Sequence, residues 1–129
     1  MSFSNYLEDA VLNHVFGGSS YSAPSTLYVA LFTVAPSEDG TGGTEVTTSG
    51  TAYARQTSAF SVSTGTASNS GAIEYATATA DYGSVVCCGI YDASTGGNLL
   101  AYGNLTSSKV VSSGDILRFN VSAIDITLN

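Results

Sequence analysis

The spacing of apolar residues changes once along the chain, near residue 26, and the change separates a helical stretch from a β-rich one. From Phe3 to Phe16 the residues Phe3, Leu7, Val11 and Val15 recur at every fourth position, with Ala10 and Leu12 beside them. That is the stripe of an amphipathic helix, expected over 3–16. Ser4 or Asn5 can cap it, Glu8 stands in capping-box register with Asn5, and Gly17-Gly18 ends it. Residues 17–26 (GGSSYSAPST) read as a turn-rich linker. Beyond it the period falls to two. Leu27 to Val34 is apolar on both faces and predicts a central strand covered on both sides. Residues 35–51, with Pro36, Asp39-Gly40 and Gly42-Gly43, form a long loop. Further strands are expected at 52–62, 72–79, 84–91, 98–105, 109–112, 115–121 and 123–128, divided by short separators such as Asp81-Tyr82-Gly83 and Ser113-Gly114-Asp115. In the last of them Ile124, Ile126 and Leu128 alternate with polar residues, as in a closing strand with one wet face. The expectation is a mainly β protein, an antiparallel β-sandwich of jelly-roll type with one N-terminal α-helix. The helical segment takes residues 1–18 and a single sandwich domain takes 19–129.

Charge narrows the possible functions. Three Lys and Arg against ten Asp and Glu leave a net charge of −7, which repels a phosphate backbone and excludes nucleic-acid binding. Over residues 1–50 the acids Glu8, Asp9, Glu38, Asp39 and Glu45 meet no Lys or Arg, so this half would suit a basic partner surface as well as a solvated one. No apolar run is long enough to span a bilayer and no signal peptide is readable, so no membrane partner is expected. Cys87 and Cys88 are sequence neighbours whose side chains would point to opposite faces of a strand, so two buried free thiols are expected.

The residues offer little chemistry. His14 is the single histidine, so any Ser-His-Asp arrangement would have to run through a residue that a helix surface explains equally well. The Cys pair lacks the spacing of a zinc site, and Asp92-Ala93-Ser94-Thr95-Gly96 has one acid where a calcium loop needs several. Asp92 is expected to cap its own turn instead. Glu74 with Asp81, or Asp115 with Asp125, could be weighed as a glycosidase pair, yet the chain has no Trp to line a sugar-gripping groove. The expectation is a protein that is not an enzyme and needs no metal or cofactor. Because cations are so scarce, Arg55 and Arg118 are each expected to pair with a specific acid and fix strand register or a subunit contact.

Two blocks of residues carry a family likeness. The first is Leu27-Tyr28-Val29-Ala30-Leu31-Phe32 followed by Pro36, Asp39-Gly40, Glu45-Val46 and Tyr53-Ala54-Arg55. The second is Ile90-Tyr91-Asp92-Ala93 and Gly96 to Gly103, then Val110, Ser113-Gly114-Asp115 and Phe119. Over about residues 3–128 the sequence resembles small bacteriophage virion proteins, known variously as capsid decoration (cement) proteins and as tail-fibre proteins. It departs from their pattern at Cys87-Cys88. The resemblance implies a structural virion protein, made in the bacterial host cytoplasm, that decorates the outer capsid surface and stabilises the shell. Its partners would be the major capsid protein and its own copies in a homotrimer. A tail-fibre or baseplate-associated domain that binds a host receptor or glycan is the alternative. The helix stripe with Leu7, Val11 and Val15 is expected to be buried either on its own sandwich or against sister subunits around a symmetry axis, and in the second case Glu38, Asp39 and Glu45 on the long loop are the residues expected to face the capsid.

Overall fold

In the computed structural model, which describes residues 1–128, the chain is mainly β and antiparallel, with one N-terminal helix. Ser4 determines where that helix begins. Its hydroxyl donates to the carbonyl of Leu99 and accepts from the N–H of Leu7, while its own N–H donates to the carbonyl of Leu100. Tethered in this way, Ser4 is the N-cap, and the helix α1 runs over Asn5–Val15. The helix therefore does not start at residue 3. Phe3 belongs with Ser2 to a short strand, β1 (Ser2–Phe3), which pairs with residues near Tyr102.

The main sheet has the order β1-β9-β8-β2-β3. Its centre is β2 (Leu27–Val34), flanked on one side by β8 (Gly83–Tyr91) and beyond that by β9 (Leu99–Val111). The other edge of β2 is shared between β4 (Gln56–Ser58) along its first half and β3 (Thr44–Glu45) along its second. Val29 and Leu31 enter one core cluster while Ala30 and Phe32 enter another, so both faces of β2 are covered, as its unbroken apolar run predicted. Two smaller sheets add their apolar residues to the larger cluster. One is β7 (Ile73–Glu74) with β10 (Arg118–Phe119); the other is β5 (Phe60–Ser63), β6 (Thr66–Asn69) and β11 (Asp125–Thr127).

Tyrosines fill much of that cluster. Tyr53 stacks on Tyr75 and meets Tyr82 edge-on, and Tyr75 meets Phe119 edge-on, arrangements that aromatic quadrupoles favour. Their hydroxyls need partners once dry. Tyr75 donates to the carbonyl of Val29, and Tyr82 donates to that of Ala76. Among the described residues no buried side-chain nitrogen or oxygen lacks a partner.

Several strand boundaries differ from those expected. The run 52–62 splits into β4 and β5, which join different sheets, and Ala52 ahead of them adopts a φ of 63°. Only Ile73–Glu74 of 72–79 is strand, and only Arg118–Phe119 of 115–121. The stretches 98–105 and 109–112 are one strand, β9, interrupted by a bulge: pairing passes from Cys87↔Asn104 to Val85↔Lys109, so Leu105–Ser108 face the single residue Val86. β6, absent from the expectation, is Thr-Ala-Ser-Asn and carries no apolar alternation to betray it.

Cys87 and Cys88 are free, buried, and divided between the two clusters, as their opposed directions required. Burial, with Cys87 beside it, pushes the Cys88 thiol up to about 12. Thiolate is the reactive form, so neither thiol should react with a disulfide reagent at pH 8 in the native protein, and both should react after denaturation. The raised value also sets a direction for stability. It should be untouched below the ordinary thiol pKa of about 9 and should decline as pH climbs from there toward 12, since only the unfolded chain ionises freely in that window. Rapid native-state labelling at pH 8 would show that the pair is not sequestered.

Candidate functional site

The most elaborate polar arrangement surrounds Arg55. It lies just before β4, across from Glu45 on β3, and grips that carboxylate through two contacts, Nη2 to Oε1 at 2.8 Å and Nε to Oε2 at 3.0 Å. Nη1 donates to the carbonyls of Ala93 and Gly96, and the guanidinium lies 3.8 Å above the centre of the Tyr91 ring. Tyr53 donates to Glu45 Oε2 at 2.7 Å and accepts from the N–H of Leu31. Burial first, and then its bond to Glu45, hold the Tyr53 hydroxyl well above its ordinary pKa, so it cannot act as a base. The loop that Arg55 holds is closed by Asp92, which accepts from the backbone N–H of Asn98 at 2.7 Å and from its side-chain amide at 2.9 Å. Burial pushes the Asp92 carboxyl up, but these bonds outweigh it and the carboxyl lies below its usual range. Gly97 is required here: its φ is 75°, and a Cβ would fall 2.6 Å from Asp92 Oδ1. Every strong group in this network already has a partner, so its role is to lock β3, β4 and the β8–β9 turn together.

Arg118 also has its acid, though loosely. It stands directly opposite Glu74 in the β10–β7 pair at 3.6 Å, with both side chains half exposed. Both arginine pairings anticipated from cation scarcity are therefore present, one buried and one wet.

The six expected contact residues are divided by the structure. Leu7 is partly buried against the larger cluster and Val11 is half-buried, whereas Val15 is exposed. No residue of α1 is fully buried, and Leu12, Val15 and Phe16 are bare, Phe16 at 82%. Glu38 and Asp39 are exposed beside the helix start, because the carbonyl of Glu38 accepts from the N–H of Asn5 at 2.9 Å. Glu8 of the first helical turn thus shares an acidic corner with that loop. Thr41, through its hydroxyl and then its N–H, holds the Asp39 carboxyl below its ordinary value. Glu45 does not join this corner as a free carboxylate, because Arg55 takes both of its oxygens.

A second feature had no signal in the sequence. Between the far half of β9 and residues 115–125 lies an open groove of about 1140 Å³. Cys88, Val111, Leu117 and Ile124 form its floor, and the β9 bulge forms part of its wall. Asp115 and Asp125, weighed above as an acid pair, both line it, but each is engaged: Asp115 accepts from the N–H of Ser112, and Asp125 from the hydroxyl of Ser68. Of the other candidate pair, Asp81 accepts from the N–H of Ser113 and Glu74 faces Arg118. His14 is exposed on α1 and accepts from the N–H of Tyr21, tying the linker back to the helix. Among the described residues no cluster of His, Cys, Asp and Glu could hold a metal ion.

No curated protein matches the chain. The family described as podophage GP4 fiber I protein gp80 matches residues 2–127, nearly the whole sequence. The expectation of a phage virion protein holds, but the match falls on the fibre, the alternative, rather than on the capsid-decoration role expected first. The chain belongs to the podophage GP4 fiber I protein family, whose members are structural, non-enzymatic fibre components of phage virions.

Proposed function

We propose that the protein acts in its fibre as a host-surface contact module, held in place by self-assembly through its N-terminal helix. The observation that carries this reading is the fibre-family match over residues 2–127. It supports the receptor- or glycan-binding alternative better than the capsid-cement role and its partner, the major capsid protein. Fibre assembly gives the bare apolar end of α1 a use. Leu12, Val15 and Phe16 would be covered by sister copies around a symmetry axis, most simply in a homotrimer, while the acidic corner at Glu38 and Asp39 lies at the opposite end of the helix, about 15 Å away along its axis.

Competition tests the receptor role. An excess of the purified protein is expected to slow adsorption of the phage to its host several-fold, and immunogold labelling of particles should decorate fibres. Unchanged adsorption would remove the receptor role, whereas dense labelling of the capsid shell would restore the cement reading. The helix contact is tested separately with Val15→Asp/Phe16→Asp. Because both side chains are exposed in the single chain, the variant should fold normally while its sedimenting species shifts to monomer. An unaltered assembly would mean that α1 is not the contact.

A further inference from the structure

The groove between β9 and residues 115–125 collects the scarce positive charge of the molecule. Of three Lys and Arg residues, Arg55 is consumed by Glu45 and the 92–98 loop. The other two, Lys109 and Arg118, both line this groove. Lys109 has no ion-pair partner among the described residues, and the Arg118 pair with Glu74, 3.6 Å long with each side chain 53% exposed, competes poorly with water. The β9 bulge adds neutral hydrogen-bonding groups to the same wall, Thr106 and Ser107 within it and Asn104 at its edge, and Phe119 lends an aromatic ring. Hydroxyls, an amide, one ring and two available cations above an apolar floor are the groups that orient a polyhydroxylated ligand carrying an acid.

We infer that this groove binds a saccharide bearing a carboxylate, an inference that rests on the host-surface reading above and names the class of its ligand. Charge favours a sugar acid over a polyphosphate. Asp115 and Asp125 share the rim with Lys109 and Arg118, so a densely charged anionic chain meets repulsion as well as attraction. One carboxylate per sugar ring, with hydroxyls between, meets both kinds of wall group. The bulge also decides against the other occupant of such a place, an added β-strand. β1 pairs with β9 only at Ala101 and Tyr102, which leaves the outer edge beyond unpaired. A docking strand needs an unbroken row of N–H and C=O groups, whereas here the row is interrupted at Leu105–Ser108 and followed by Lys109, a residue type that blunts edges.

The test is a titration of the isotope-labelled protein with tetragalacturonate, followed by amide chemical shifts, with the methyl-esterified oligomer as the uncharged control. Shifts should concentrate at residues 104–119, and affinity should fall at least ten-fold both for the ester and for Lys109→Ala/Arg118→Ala, whose replaced side chains are exposed and leave the core intact. Absence of groove shifts, or equal binding by the variant, overturns the inference, as does concentration-dependent broadening along β9 without ligand, which would reveal strand addition by a second copy. Binding of the two proteins to host cells separates the readings. Equal binding by wild type and variant discards the groove and keeps the receptor role. Saccharide binding in the groove without any cell binding keeps the groove and discards the role.

Discussion

Arg55→Ala is expected to lower the melting temperature by on the order of 10 °C. The Arg55 side chain retains only 7% of its exposure and faces a Glu45 side chain at 28%. Removing the arginine leaves that carboxylate half-buried without its cation, unpairs the carbonyls of Ala93 and Gly96, and strips the cation from the face of Tyr91. Breaking a buried pair from one side costs about 3–5 kcal/mol, and the partial exposure of Glu45 places this case toward the lower end. For a chain of this size that loss corresponds to a shift of about the stated amount. Arg55→Lys should recover little, since an ammonium can neither fork across two oxygens nor lie flat on the ring. The double variant Arg55→Ala/Glu45→Ala should lose less than the sum of the single variants, because each single change strands the other partner. Additive losses in thermal melts would mean that the two residues act independently.

The second large effect is expected at Asn69, a fully buried side chain at the end of β6. Its amide donates to the carbonyls of Gly71 and Asn120, and its carbonyl accepts from the N–H of Ile124. Backbone bonds join the same residue to Ile124 and Ser122, so one asparagine organises the turn in which Ser122 is held at a φ of 62°. Asn69→Leu keeps the volume and removes the bonds. Each stranded buried group costs about 1–3 kcal/mol, and the loss should be of the order of 3 kcal/mol, with amide exchange at Ile124 accelerated first. Asn69→Asp adds a pH signature. A buried carboxyl is tolerated while protonated, so that variant should be closer to wild type at pH 4 than at pH 7, the penalty growing as pH rises through its elevated pKa. A wild-type melting curve for Asn69→Leu would show that the turn holds itself.

How far these features could be read from the amino acids depends on whether burial left a periodic mark. The helix stripe and the run Leu27–Val34 did so, and the opposed Cys87 and Cys88 followed from strand geometry alone. Asn69 left none: a polar residue in Thr-Ala-Ser-Asn looks like a loop, and only the carbonyls brought to it from residues 71 and 120 reveal a strand end. The start of the helix was misread because Phe3 continues the four-residue spacing, while the event that ends helicity, capture of Ser4 by β9, is non-local. Arg55 could be singled out by scarcity, but not the identity of its acid. The groove was invisible because it arises from the mismatch of β9 against β8, a property of pairing rather than of either strand. Capsid and fibre placement could not be told apart for a related reason. The motifs behind the resemblance, such as Leu27–Phe32 and Gly96–Gly103, describe how the sheet is built, and neither block says where on a particle it is used.

The pairing of Ser2 and Phe3 with Tyr102 and Ala101 sets a timetable for synthesis. Ser2 and Phe3 have no strand to join, and Ser4 has no carbonyl to cap against, until Leu99 to Tyr102 have been made. At roughly 5–20 residues per second, that wait lasts on the order of ten seconds. Throughout it the apolar stripe of the nascent helix lacks its docking site. The five acids spread over residues 1–50, with no cation among them, keep neighbouring chains apart by simple repulsion until each can close on itself.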